Sequence, residues 1–128
     1  MSKARKPNRR DEWRREQDCC HNPECLARYS RGDSMETHEI IGGSDRAKTV
    51  TMPAFFLFLC HADHNTLGSR PNQESLVKQL SWKKWSDPDN YNPAAVIRMW
   101  RPNCTPAFEV ELIDAIAEEY QIIVRNFA

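Results

Sequence analysis

The sequence predicts an α+β fold: two strands leading into a helix, a ββα unit, followed by a half built of helices. Three observations predict it. Two short runs, "METHEII" (35–41) and "MPAFFLFLC" (52–60), carry β-branched, aromatic and aliphatic residues between glycine-, proline- and polar-rich stretches, as strands do. From residue 71 onward, apolar residues recur at helical spacing behind capping residues. Histidine, cysteine and carboxylate side chains fall in three clusters: Cys20, His21 and Cys25; His38 and Glu39; Cys60, His61, Asp63 and His64. A hairpin ending near Cys60, then a helix carrying His64, would bring all three together.

Taken in order, residues 1–10 read as a disordered basic arm with Pro7 and no apolar period. "DEWRREQD" (11–18) predicts a short helix with Asp11 as N-cap and acidic residues in its first turn. "CCHNPECLARYSRGDS" (19–34) is a loop with Asn-Pro and Gly-Asp turn signals. "METHEII" is the first strand and "GGSDRAKT" a loop. "MPAFFLFLC" is a buried strand beginning after Pro53, and "HADHNTLGS" turns into a helix or a loop near His64. "NQESLVKQLSWKKW" places Leu76, Val77 and Leu80 at helical spacing, with Asn72 as cap. After the turn "SDPDNYNP", a helix opens with Asn92 as N-cap and Pro93 in the first helical position. The strongest helix signal is "CTPAFEVELIDAIAEEYQIIVRNF", capped by Thr105 and opened by Pro106. Val110, Ile113, Ala117, Tyr120, Val124 and Phe127 form its apolar stripe. The organisation expected is a single domain: arm 1–10, ββα core 11–70, and accessory helices 71–128 packing on that core.

A chain of 128 residues, 40% of them apolar, favours one domain with a modest core. Small cores are often reinforced by a metal or by disulfides. Clustered cysteines in a reducing compartment more often bind metal, and the count here, five, is odd. There is no apolar run long enough to span a membrane. The start "MSKARKPNRRDEWRR" carries charge with no apolar segment behind it, so it does not read as a signal peptide. A cytoplasmic location and no membrane partner are therefore expected.

Formal charge sums to zero but is unevenly spread. Residues 1–15 hold seven basic residues against Asp11 and Glu12, while residues 105–128 hold five acidic residues against Arg125. Lys3, Arg5, Lys6, Arg9 and Arg10 form an arm suited to nucleic-acid phosphates, or simply a solvated tail. Trp82, Trp85 and Trp100 lie among lysines and arginines. Packing onto the hairpin is their favoured role, with stacking on bases as the alternative. Cys104, just before the last helix, reads as a buried or idle thiol.

"THEII" and "LCHADHN", at the two ends of the expected hairpin, resemble the HNH, or ββα-metal, endonuclease family. The family pattern has a His or Asp, a base histidine and an apolar residue on the first strand, an Asn mid-hairpin, and "LC-x-x-CH" or "LC-x-x-HH" entering the helix. Leu59 and Cys60 match the "LC", and His64 with Asn65 matches the "HN" that often begins the helix. "HEIIGGSDR" is similar to the "HHI-x-G…R" version of small phage and prophage HNH proteins, with Arg46 at the arginine. The likeness covers roughly residues 18–70, and residues 71–128 look like the accessory helical tail of some small members.

The resemblance implies a metal-dependent endonuclease hydrolysing phosphodiester bonds in DNA. It assigns His38 and His64 to the metal-ligand slots of a catalytic ion (Mg, Mn or Zn) and puts Glu39 where the base histidine usually stands. In the alternative register, His38 is the base and Glu36 or Glu39 helps hold the metal. The mid-hairpin Asn has no counterpart in "PAFFLF". The resemblance also implies a structural zinc held by Cys20, Cys25 and Cys60. Its fourth ligand is Asp63, or else His61, His21 or Cys19. Gly42 and Gly43 would let the chain turn closely past the catalytic ion. The missing Asn and the Glu39 slot favour an alternative: a non-catalytic zinc-stabilised module binding nucleic acid or a protein partner. A hydrolase of non-nucleic substrates is a third reading.

Overall fold

A computed structural model of the chain describes residues 9–25, 35–42, 49 and 51–128. β1 (Met35–Glu39) and β2 (Phe56–Cys60) pair antiparallel, with Met35 opposite Cys60 and Glu39 opposite Phe56. Because strand side chains alternate, Glu36 and His38 share one face with Leu59 and Leu57. Met35, Thr37 and Glu39 share the other with Cys60, Phe58 and Phe56. Every residue of β2 is buried, since helices cover the hairpin on both faces. That explains why "FLFLC" is continuously apolar rather than alternating. The run before it forms a 3-10 turn at Pro53–Phe55 instead of strand. Phe55 O accepts the Ile40 N–H at 2.8 Å, which extends the hairpin's closure beyond β1.

α1 (Arg9–Arg15) covers the Phe56/Phe58 face. Trp13 meets the rings of Phe56 and Phe58 edge-on at 5.4 and 6.3 Å. This helix corrects two expectations. It begins before Asp11, which lies inside its first turn rather than at the cap, so Arg9 and Arg10 belong to the helix and not to a disordered arm. It also stops at Arg15 instead of running to residue 18, because Gln17 Nε2 folds back onto Trp13 O at 3.0 Å. The other arm residues, Lys3, Arg5 and Lys6, and the loop residues Gly43 and Arg46, lie outside the described residues.

α2 (His61–Asn65) follows β2 directly. The helices after it start where local chemistry dictates. Asn72 caps α3 (Gln73–Ser86) by accepting from Ser75 N. Asn92 caps α4 (Pro93–Trp100) through Ala95 N. Thr105 caps α5 (Pro106–Phe127) through Phe108 N. Each oxygen satisfies an amide that the first helical turn leaves unpaired. α5 packs on α3 and α4 most deeply through Leu112, Ile116 and Ile123, which the expected stripe omits, while Ile113 and Tyr120 of that stripe pack at the margin of the contact. Of that stripe, Val110 is 55% and Phe127 38% exposed, and Ile113, Ala117, Tyr120 and Val124 are half-buried. α5 is apolar around much of its circumference, so its partners decide which line is buried. Trp82 and Trp100 are buried and Trp85 is half-buried against Tyr120. These tryptophans pack within the protein.

Gly42 marks where the chain leaving β1 meets the segment after α2. Its N–H donates to Ser69 O at 2.6 Å, and an added Cβ would lie 2.5 Å from that same oxygen. The obstacle is backbone, which cannot rotate away. Gly42→Ala should therefore destabilise the fold by about 1–3 kcal/mol, read as a lower urea midpoint with an unchanged slope. Among the described residues, no helix is long and apolar enough to cross a membrane.

Candidate functional site

α2 divides two sites between its two sides. Cys60 and Asp63 are three residues apart and face the N-terminal loop, and His61 and His64, also three apart, face Glu36 of β1.

On the first side, Cys20, Cys25, Cys60 and Asp63 bring one ligand atom each to within 4.8 Å of one another. Cys25 Sγ and Cys60 Sγ are 3.5 Å apart, and Asp63 Oδ2 lies 3.1 Å from both Cys20 Sγ and Cys60 Sγ. Tetrahedral zinc with Zn–S bonds of about 2.3 Å needs ligand atoms spaced about 3.8 Å apart, so this cluster could hold such an ion with small adjustments. Asn22 Nδ2 donates to Asp63 Oδ1 at 3.2 Å, which turns Oδ2 toward the thiols. Burial pushes the Cys20 thiol far above its ordinary range. Burial also works to raise Asp63, but donors from Cys25, Cys60, Cys20 and Asn22 outweigh it and hold the carboxyl below its usual value. A half-buried carboxylate beside two buried thiols and a half-buried one suits a cation that stabilises thiolates. All five cysteines are free of disulfides.

The other proposed fourth ligands do other work. His21 is buried, with Nδ1 accepting Phe58 N–H at 3.1 Å and Nε2 donating to Gln17 Oε1 at 2.9 Å. Its imidazole is thereby committed to the hairpin, and burial lowers its pKa to about 3. His61 sits on the opposite side of α2 against Glu36 at 3.3 Å. Cys19 is outside the cluster, as is Cys104, which is half-buried against the core.

On the second side lies a cleft of about 450 Å³ bordered by Arg10, Thr37, His38, Glu39, Gly42 and His64. The His38 and His64 rings are 5.1 Å apart and edge-on. His38 is 3% exposed and its Nε2 lies 2.9 Å from Gln79 Oε1. Gln79 Nε2 donates to Ser75 Oγ at 3.0 Å, which orients the amide and makes its oxygen the acceptor. The hydrogen-bond pattern thus assigns the proton of His38 to Nε2 and leaves the lone pair on Nδ1. Burial lowers the His38 pKa to about 4, reinforced by His64 and opposed by Gln79. The imidazole is therefore neutral near pH 7. His64 Nδ1 donates to Glu36 Oε2 at 2.7 Å, which leaves the lone pair of Nε2. The His64 and His61 hydrogen bonds hold Glu36 below its usual carboxylate value.

Glu39 borders the cleft but forms an ion pair with Arg10, and strand alternation directs it to the face opposite His38. Among the described residues, Arg9 makes only an exposed ion pair with Glu12, at 3.8 Å. A cleft of about 550 Å³ at the α4–α5 turn is larger, but among the clustered site residues considered it contains none. Sequence reasoning missed Gln79 and the cleft position of Arg10. Gln79 had a signal, being a polar residue between Leu76, Leu80 and Lys83 on the buried side of α3. Arg10 had none, because its partners are 27 and 29 residues away.

No family model, curated protein or solved structure matches the chain.

Proposed function

We propose that the protein is a small HNH-type, metal-dependent endonuclease that hydrolyses phosphodiester bonds in DNA. The observation that carries this reading is the pair His38–His64: two imidazoles 5.1 Å apart in a cleft, one on the first strand of a hairpin and one on the helix that follows it. His38 is the base, because Glu39 is occupied by Arg10 while His38 is neutral, buried and oriented by Gln79. It accepts a proton at Nδ1 from the water that attacks phosphorus in line. His64 would hold the divalent ion through Nε2, with Glu36 fixing its ring and strengthening it as a ligand. Once bound, Mg, Mn or Zn supplies positive charge to the scissile phosphate and the leaving oxygen. The Cys20–Cys25–Cys60–Asp63 cluster would hold a structural zinc that fastens the N-terminal loop to β2 and α2.

Purified protein should nick supercoiled plasmid in Mg²⁺ or Mn²⁺. His38→Ala and His64→Ala should each lower the rate by at least about 100-fold. Glu36→Gln keeps an acceptor for His64 but loses the charge, and should lower it by roughly ten-fold. Nicking that survives both histidine substitutions sinks the assignment.

The second reading is a zinc-stabilised module that binds nucleic acid or a protein without cutting. The Arg10–Glu39 pair favours it, since the family's base slot is here held in an ion pair. It predicts salt-sensitive DNA binding with no cleavage in any divalent ion.

A further inference from the structure

The segment after α2 borders the His38/His64 cleft through Leu67, Gly68 and Ser69. Packing requires the glycine at 42, where Ser69 O would lie 2.5 Å from an added Cβ. Packing does not require the one at 68. Among the described residues, a Cβ added to Gly68 would meet nothing within 4 Å, and its backbone lies outside the left-handed region. The fold therefore tolerates a side chain at this exposed position. Bare backbone on the wall of a cleft suits the close approach of a ligand.

The same segment leads onto a basic rim. Two residues beyond Gly68, the exposed Arg70 donates an N–H to Trp100 O at the end of α4. Trp100 Nε1 donates to Pro71 O at 3.0 Å, which fastens the segment to α4. Arg101 comes next, exposed, with its guanidinium 4.4 Å from the centre of the Trp100 ring and 5.4 Å from that of Phe108. These rings fix the side chain without neutralising its charge. Arg101 also borders the cleft of about 550 Å³ at the α4–α5 turn. Glu109, beside Phe108, is taken up by Arg98 at 2.7 and 3.2 Å. The Cα atoms of Gly68 and Arg70 are at most about 7 Å apart, about two nucleotide steps along a duplex strand. An open wall and two placed arginines thus continue the cleft in one direction.

We propose that duplex DNA leaves the cleft across Gly68, and that Arg70 and Arg101 are positioning residues that hold phosphates of the strand beyond it. They supply charge and N–H donors to phosphate oxygens and fix the strand's register against His38 and His64. Gly68 keeps the exit open. This path rests on the nuclease reading and extends it, because it adds contacts outside the cleft in which the reaction occurs.

The test uses the full chain with its metal. Arg70→Gln, Arg101→Gln, Gly68→Phe and a control, Arg125→Gln, are compared with wild type by thermal melting and by steady-state nicking of plasmid. The same changes, made on a His38→Ala background, are compared by binding to a fluorescent DNA duplex over a series of salt concentrations. Glutamine at position 70 keeps an N–H donor for Trp100 O. Arg70→Gln and Arg101→Gln should each lower the slope of log Kd against log salt by about 0.9, the share of one phosphate contact. Each should raise KM and Kd roughly ten-fold. Their kcat should stay within about two-fold of wild type, since the contacts form with bound substrate as well as at the transition state. Arg125→Gln removes the same charge about 30 Å away, at the far end of α5, and should leave slope, Kd and KM unchanged. Gly68→Phe should melt within a few degrees of wild type, while KM and Kd rise by at least roughly ten-fold. Wild-type binding by both Arg101→Gln and Gly68→Phe overturns the proposal. So does a slope that falls as far in Arg125→Gln as in Arg101→Gln. Should the wild-type protein bind duplex without cutting it, the nuclease reading fails and the salt slopes and Kd values alone decide this one. Absence of any duplex binding by wild type overturns both.

Discussion

Cys60→Ala is expected to leave the chain largely unfolded at room temperature, and a strong zinc chelator is expected to do the same to the wild-type protein. Cys60 ends β2 and borders α2, and its sulfur meets Cys25 Sγ at 3.5 Å and Asp63 Oδ2 at 3.1 Å. The cluster therefore links the loop after α1 to the hairpin and to α2. Structural zinc sites have apparent binding free energies of about 10–16 kcal/mol, comparable with the whole stability of a small domain, about 5–15 kcal/mol. With zinc in the cluster, loss of the Cys60 thiolate would remove much of that and leave Cys20, Cys25 and Asp63 to hold the ion with three ligands. Elemental analysis should find about one zinc per chain in the wild type and much less in Cys60→Ala, with circular dichroism showing lost helix. Cys104→Ala lies outside the cluster and should cost only about 1 kcal/mol. Asp63→Cys should retain the fold and bind zinc more tightly, because thiolate is the softer ligand. A Cys60→Ala protein that melts like wild type, from a wild type that carries no zinc, would overturn the metal centre.

The helical half was legible because its signals are local. Asn72, Asn92 and Thr105 cap the helices they precede, and Pro93 and Pro106 sit where a missing N–H does no harm. The buried line of α5 was not legible. Val110 and Leu112 are equally apolar, and only the packing of α3 and α4 chooses between them. The start of α1 was misplaced for a related reason. Arg10 joins the helix while meeting Glu39, and Trp13 is held by rings on β2, contacts that no local pattern announces. The three clusters of candidate ligands were legible as a set, but not how they divide. The division follows from three-residue spacing on α2: Cys60 and Asp63 turn one way, His61 and His64 the other. That periodicity was present in "CHADH" and would have separated Asp63 from His61 as the fourth member of the cysteine cluster.

Lys83→Met should destabilise the protein by about 3–5 kcal/mol, the usual effect of removing one partner from a buried ion pair. Lys83 is fully buried, and its Nζ donates to Phe56 O and to Asp87 Oδ2, each at 2.7 Å. Its ammonium also lies 4.8 Å from the centre of the Trp13 ring. Asp87 accepts from Trp13 Nε1 at 2.7 Å and from Asn90 Nδ2 at 3.1 Å. One lysine and one aspartate, a helical turn apart, thus tie α3 to β2 and to α1, the helix that brings Arg10 to the cleft. Methionine matches the length of the lysine stem but leaves Asp87 charged and buried with only neutral donors. Asp87→Asn alone strands the ammonium in the same way. The double variant Lys83→Met/Asp87→Asn removes both charges and should recover a large part of the loss, a non-additivity read from a double-mutant cycle in urea. The acid limb gives an independent check. Burial works to raise the Asp87 pKa, but the Lys83, Trp13 and Asn90 donors outweigh it and hold it below the ordinary carboxylate value. Its stabilisation is then present above the unfolded-state pKa of about 3.9 and is lost as pH falls through the lower folded value. The double variant should lack that part of the acid-induced loss. Near-additive single and double variants would mean that the pair acts as two separate packing residues, and the docking of α1 would then rest on Trp13 and the rings of β2 alone.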